Sequence, residues 1–195
     1  MIALNAFATV TVHCLILRNG IFVPQTFQKG TSRQGNIHKF NDKYWSRSDG
    51  FPIRPPSNLP PSGNEHLLIA LGEVLGSGRV GTVHHATLLT HHTELPPLII
   101  KVSQHKWSEN MEKEAWFYKE LEQLQEIAIP RCYGFFQVHI EEGSEVLTWK
   151  VDSTAEYNGR NQTPEHPSNP TLLSILLLEC LGERMPLRQP LDTIE

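Results

Sequence analysis

A glycine-rich turn between two apolar runs constrains the fold of this chain more than any other feature. The turn reads Gly76-Ser77-Gly78-Arg79-Val80-Gly81-Thr82-Val83. The run at 67–75 before it is apolar, and the residues after it alternate with a period of two and are rich in β-branched types, which is typical of strands. Because glycine has no Cβ, its backbone N–H groups can approach phosphate oxygens closely. The pattern therefore predicts two strands joined by a turn that can cover a nucleotide.

The other strands are predicted from extended apolar runs farther along the chain. Each is short, and turn-forming or polar residues bound it. These runs are 98–102, 132–140, 171–180 and, as a candidate for an extra strand, 146–151. Five principal strands are therefore expected after residue 64.

Residues 108–125 predict the clearest helix of the chain, with Ser108 as its cap. Four apolar side chains recur at helical spacing and predict its inward face, namely Phe117, Tyr118, Leu121 and Leu124. Glu114 falls on the same face. Lys101 interrupts an otherwise apolar strand, and an unpaired buried ammonium is costly, so an ion pair with Glu114 is one expectation. The alternative is that the glutamates of this helix only solvate it.

The first 63 residues are predicted to be an irregular extension followed by a proline-rich linker. Residues 7–13 alternate apolar and polar side chains, which favours a strand over a signal peptide. From about residue 25 the chain is polar and ends in a dense set of prolines, which block helices and central strands. We therefore divide the chain into 1–63 and a globular part at 64–195.

Composition excludes several classes of partner and site. A net charge of −4 without a basic cluster argues against nucleic acid and anionic membranes. Adjacent histidines on a strand point to opposite faces, so no metal site is expected at His84-His85 or His91-His92. Three scattered cysteines favour a reducing compartment, the cytoplasm or the nucleus. They are Cys14, Cys132 and Cys180.

The glycine pattern also fits the turn of a dinucleotide-binding fold, in which the last glycine opens a helix. Glu94 even stands near the place of the ribose-binding acid. The period-two alternation after Gly81 disfavours that helix, so this reading is the weaker alternative. A P-loop is excluded because no Gly-Lys-Ser/Thr follows the glycines.

The order of the glycine turn, Val83, the run Ile99-Ile100-Lys101 and Glu114 resembles the small lobe of the protein-kinase-like superfamily. Residues 114–125 and 129–136 are similar to divergent fungal protein-kinase-like proteins, and 176–182 resembles the fifth strand and hinge, with Leu178 as gatekeeper. The resemblance covers about residues 67–185. It implies an α+β fold with a five-stranded antiparallel sheet and one main helix, truncated after the hinge.

The resemblance also implies that the cofactor is ATP, with Mg²⁺ reaching the site only through the nucleotide because no protein ligands for it are identified. Lys101 and Glu114 would orient the phosphates, while the carbonyl of Glu179 and the backbone of Leu181 would meet adenine. The implied ATP-binding residues are Gly76, Ser77, Gly78, Arg79, Gly81, Val83, Lys101, Glu114, Glu179 and Leu181.

Phosphoryl transfer requires a catalytic base and metal-binding carboxylates, yet the sequence contains no His-Arg-Asp and no Asp-Phe-Gly. No catalytic residue is therefore predicted, and the expected function is an ATP-binding lobe without phosphotransferase activity of its own. The alternative is a non-catalytic protein-interaction module. The surface that faces the large lobe in kinases would then bind a protein partner or a second copy of the chain.

Overall fold

The computed structural model describes residues 4–31, 57–90, 95–103, 107–149 and 171–182. Within these ranges, seven strands close a mixed β-barrel and one α-helix packs on its outer wall. An eighth, very short strand pairs with β1 outside the ring. The elements are β1 Phe7–Arg18, β2 Ile21–Lys29, β3 Glu65–Ser77, β4 Gly81–Leu88, β5 Leu98–Ser103, α1 Ser108–Glu120, β6 Cys132–Ile140, β7 Glu145–Val146 and β8 Thr171–Glu179.

The strands follow one another around the ring in the order β1, β2, β6, β8, β5, β4, β3 and back to β1. The predicted α+β fold with an open five-stranded antiparallel sheet is therefore wrong. The five strands located in the sequence lie side by side as β3, β4, β5, β8 and β6, but β1 and β2 close them into a barrel. The contact between β1 and β3 is parallel, which makes the sheet mixed.

The closing hairpin comes from the part of the chain that was expected to be irregular. Asn19 and Gly20 join β1 to β2 with φ angles of 51° and 77°. Both residues tolerate this left-handed backbone, and an Asn-Gly pair is the usual two-residue turn of a β-hairpin. β2 then meets β6 through only two residue pairs, Gln28 with Gln137 and Lys29 with Phe136. The barrel is therefore closed at a short seam.

The barrel interior is filled by alternate side chains of the strands, while the outer wall next to α1 carries a second apolar cluster. On β8, Ile175 and Leu177 face the interior, whereas Leu176 and Leu178 face α1. Both faces of this strand are buried, which explains its continuous apolar run. The interior residues include Phe7, Val10, Val12, Leu15, Phe27, Leu67, Ile69, Ile100, Val102, Tyr133, Phe136 and Leu173.

α1 ends at Glu120, and a 3₁₀ turn at Glu122–Leu124 follows it. The predicted inward face is wrong for three of its four apolar side chains, since Phe117, Leu121 and Leu124 are 51%, 41% and 43% exposed. The fourth, Tyr118, does pack against the outer-wall cluster. The predicted cap is also wrong, because the hydroxyl of Ser108 donates to the Leu172 carbonyl at 2.8 Å. None of the described helices combines the length and apolar composition that crossing a bilayer requires.

The rotation of α1 is set by two glutamates that flank its buried stripe. Met111 and Ala115 lie against the wall. On one side of them, Glu112 accepts a hydrogen bond from Gln137 Nε2 at 3.1 Å. On the other side, Glu114 faces β5. The face of α1 that packs inward therefore consists of Met111 and Ala115, with a polar contact of a glutamate on each side.

Candidate functional site

Lys101 and Glu114 form an ion pair on the outer wall of the barrel. Ile100 and Val102 point into the interior, so the strand alternation of β5 directs Lys101 outward, toward α1. Its Nζ donates to both carboxylate oxygens of Glu114, at 2.8 and 2.7 Å, and the two side chains are only 21% and 28% exposed. The predicted ion pair is confirmed, and the alternative in which Glu114 only solvates the helix is wrong.

Lys101 belongs to a row of residues that crosses five neighbouring strands. Gly76 pairs with Val83, Val83 with Lys101, Lys101 with Leu176, and Leu176 with Phe135. Cross-strand partners point to the same face of a sheet, so the whole row lies on the outer wall. The fold thus brings the glycine turn to within two strands of the lysine, about 10 Å at the usual strand spacing.

The three glycines of the turn have different structural roles. A Cβ on Gly81 would lie 2.1 Å from the Val102 carbonyl oxygen, so the close approach of β4 and β5 requires glycine there. A Cβ on Gly76 would meet nothing within 4 Å, and one on Gly78 would meet only the Gly81 carbonyl, at 3.9 Å. Neither of these two has a positive φ. The barrel therefore does not require glycine at 76 or 78, and open space lies beside both.

The tip of the glycine turn contacts residues at the start of α1. The guanidinium carbon of Arg79 lies 5.3 Å from the ring centroid of Trp107, within the range of a cation–π contact. Val80 packs against the apolar cluster of Met111, Ala115 and Leu178. Ser77 pairs with Thr82, and the Gly78 N–H donates to the Gly81 carbonyl at 3.0 Å. Nothing in the sequence pattern links Trp107 to the turn, so this contact was not predicted.

The two predicted adenine-binding residues lie at the end of β8, away from Lys101, and Glu179 shares the interior face there with its cross-strand partner Leu98. Glu179 pairs with Leu98, three residues along β5 from Lys101, or about 10 Å at the rise of a strand. Its N–H donates to the Arg131 carbonyl at 2.9 Å, and its carboxylate lies 3.6 Å from Arg131 Nε. Leu181 is exposed just beyond β8. Arg131 was not predicted as part of this region. Its partner Glu179 is far from it in sequence, and its partner Glu126 is separated from it by a turn.

The groups next to the ion pair are poor nucleophiles at neutral pH. Burial raises the pKa of the Cys132 thiol to about 12, and the nearby Glu114 charge contributes to the increase. Burial, followed by the charges of Cys132 and Glu114, raises the pKa of Tyr118 to about 12. A thiol and a phenol that stay protonated do not attack substrates. These two residues therefore act as part of the wall.

The histidine pair on β4 is split between the two faces, as its strand position predicts. His84 is buried, whereas His85 lies outside with its Nε2 3.6 Å from Glu73; His91 and His92 fall outside the described residues. Across the described ranges, no three His, Cys, Asp or Glu side chains converge on one point.

The arrangement offers a fixed ammonium, an open glycine turn and an apolar wall, which together suit a phosphate-bearing ligand with an apolar part. A strand, β4, and not a helix follows Gly81, so the turn lacks the helix N-terminus that a dinucleotide-binding site uses. No protein-family model matches this chain, and no curated protein and no solved structure shows significant similarity to it.

Proposed function

We propose that the outer wall of the barrel beside α1 binds ATP. One observation carries the proposal: Lys101, which is paired with Glu114 of α1, lies in the same row of residues as Gly76. An ammonium that is held in place by one carboxylate can still donate to a phosphate oxygen, because it has three donors. The space beside Gly76 and Gly78 can admit the same ligand, while the Gly78 N–H itself donates to the Gly81 carbonyl.

Each predicted contact has a defined role in this proposal. Lys101 neutralises phosphate charge, and Glu114 keeps its side chain in position. Arg79 leaves the Trp107 ring and supplies a second cation. The apolar part of the nucleotide lies along the wall toward Glu179 and Leu181, whose backbone would meet adenine. Mg²⁺ would arrive with the nucleotide, since the carboxylate nearest the lysine is already committed to it.

We further propose that these 195 residues bind ATP without transferring its phosphate, because the sequence contains neither a His-Arg-Asp nor an Asp-Phe-Gly motif. For the compartment, the cytoplasm or the nucleus is favoured. The support is that Cys14, Cys132 and Cys180 are all free thiols, which suits a reducing environment.

Titration calorimetry with ATP tests the binding site. We expect Lys101→Met to weaken ATP binding by about tenfold or more, since a charge-assisted hydrogen bond contributes about 1.5–3 kcal/mol. Gly76→Ala should also weaken binding, while leaving the unfolding temperature unchanged because the added methyl group meets open space.

Lys113→Met is the matched control, because Lys113 is an exposed lysine of α1 whose Nζ lies near Asn110. It should bind ATP like the wild type. Equal affinity in the wild type and in Lys101→Met would contradict the proposed site, and so would a loss of the same size in Lys113→Met.

A protein-interaction module is the second candidate function. Exposed apolar side chains near the end of α1 and just after it favour it, because exposed apolar surface often marks a protein contact. If ATP does not bind, this is the function that the described surface favours. Its binding face would consist of Phe117, Leu121, Leu124 and Ile127.

A further inference from the structure

The residues that lead into β3 form a strap, residues 57–63, which spans from the end of α1 to the start of β1. At its first end, Ser57 Oγ donates to Glu122 Oε2 at 2.6 Å, and the Asn58 N–H donates to Glu122 Oε1 at 2.8 Å. Both hydrogen bonds therefore depend on one carboxylate of the 3₁₀ turn that follows α1.

The other end of the strap is held by hydrogen bonds with the backbone and side chain of Asn5. The Gly63 N–H donates to the Asn5 carbonyl at 2.9 Å, and Asn5 Nδ2 donates to the Pro60 carbonyl at 2.9 Å. A Cβ on Gly63 would lie 2.3 Å from the Ala6 carbonyl oxygen, so the two segments are in close contact. Lys29 Nζ also donates to Asn5 at this end, so both ends involve a charged side chain, but only at Glu122 does a carboxylate accept hydrogen bonds from the strap itself.

We propose that Ser57 is a phosphorylation site and that its phosphorylation releases the strap from Glu122. Ser57 and Asn58 are exposed, so the hydroxyl is accessible to an enzyme. The sequence Arg54-Pro55-Pro56-Ser57 places a basic residue three positions before the serine. Such a charge suits a serine kinase with an acidic substrate-binding surface, since kinases select substrates partly by charge.

The modification would turn an attractive contact into a repulsive one. The kinase transfers the γ-phosphoryl group of ATP to Ser57 Oγ: a new O–P bond forms, the bond to the β–γ bridging oxygen breaks, ADP leaves, and the kinase's base takes the hydroxyl proton. Ser57 then no longer donates to Glu122, and it carries a charge of about −1.5 to −2 beside a carboxylate. This switch does not depend on ATP binding at the barrel wall.

Hydrogen exchange of the Asn58 amide in the full chain measures the release. The protein is first phosphorylated with ATP and an arginine-directed serine kinase, and the site is located by mass spectrometry. We expect the Asn58 amide of phosphorylated protein, and of Ser57→Glu, to exchange about five- to tenfold faster than that of Ser57→Ala, because repulsion adds to the lost hydrogen bond. Ser57→Ala is the matched control, because it loses the hydrogen bonds of the hydroxyl to Glu122 and from the Leu59 N–H without adding a charge.

The repulsion should disappear in a Glu122→Gln background, where the neutral amide oxygen can accept from the Asn58 N–H and the amide NH2 can donate to Ser57 Oγ. The Gly63 amide, which is bonded to Asn5, should exchange at the same rate in every variant and so reports an intact fold. The proposal is overturned if the kinase leaves Ser57 unmodified, if Ser57→Glu and Ser57→Ala exchange equally, or if their difference persists with Glu122→Gln.

Discussion

His84 is the buried residue whose ionisation matters most to the barrel itself. It is 3% exposed and shares the interior face of β4 with Thr82. Its Nδ1 lies 3.2 Å from the Gly72 carbonyl oxygen and its Nε2 lies 3.1 Å from Thr82 Oγ1. A neutral ring satisfies both contacts, with Nδ1 donating to the carbonyl and Nε2 accepting from the hydroxyl. Burial lowers the pKa of His84, and the hydrogen bond to Gly72 offsets part of the shift.

This lowered pKa predicts a loss of stability in acid. Below the ordinary histidine pKa of about 6.5, the unfolded chain binds a proton at His84 that the folded chain does not yet bind. The free energy of unfolding therefore decreases as the pH is lowered from about 6.5 to the pKa of His84 in the folded protein. Urea unfolding at about pH 7.5 and about pH 5.5 measures it. The wild type should lose more free energy of unfolding than His84→Gln, by at most about 1.4 kcal/mol per pH unit. Identical losses in the two proteins would contradict this assignment.

Among single residues, the sequence allowed prediction of those whose chemistry demands a partner. Lys101 in an apolar strand required a counter-charge, and Glu114 stood on the next helix. No sequence signal predicted the contact of Arg79 with Trp107, because both side chains can also be accommodated at a solvent-exposed position. A turn residue and a residue near a helix start meet only through the three-dimensional fold.

Among elements, α1 exposes Phe117, which the helical spacing predicts on its inward face. The structure instead packs Met111 and Ala115 against the wall, between the polar contacts of Glu112 and Glu114. The rotation could not be predicted from an apolar stripe, because it depends on which wall residues the two glutamates meet. Strand positions were easier to predict, and β6 begins and ends with the extended run from which it was predicted.

The packing of α1 predicts a sharp contrast between two substitutions. Met111→Ala should lower the free energy of unfolding by about 2–5 kcal/mol, since it removes a fully buried side chain. Phe117→Ala should change it by no more than about 0.5 kcal/mol, because more than half of that side chain is exposed. Chemical denaturation of both variants measures the difference. A larger loss in Phe117→Ala would mean that the helix packs by the opposite face.

The whole molecule differs from the expected fold in its closure. The signals for the hairpin were local and readable: a period-two alternation in β1, an Asn-Gly turn, and an apolar start to β2. The closure of the barrel could not be predicted from the sequence. It depends on the parallel pairing of β1 with β3 and on the short seam of β2 with β6, and both join segments that are far apart in sequence. Such contacts leave no periodic trace in a single sequence.

Two phenylalanines of β2 test whether the hairpin is part of the core. Phe27 is fully buried with the interior residues, whereas Phe22 on the same strand is 45% exposed. We expect Phe27→Ala to cost about 3–5 kcal/mol of unfolding free energy and Phe22→Ala less than about 1 kcal/mol. Equally small losses would indicate an extension that does not contribute to the core.

Amide NMR of the full chain during an ATP titration tests the proposed nucleotide site most directly. Gly76 on β3 and Lys101 on β5 belong to one row, with β4 between them. The backbone amides of both should shift with ATP, whereas adenosine should leave Gly76 unmoved because it carries no phosphate. In Lys101→Met the ATP-induced shift of Gly76 should be lost. An unmoved Gly76 amide in the wild type, or an equal shift in both proteins, would contradict binding at this wall.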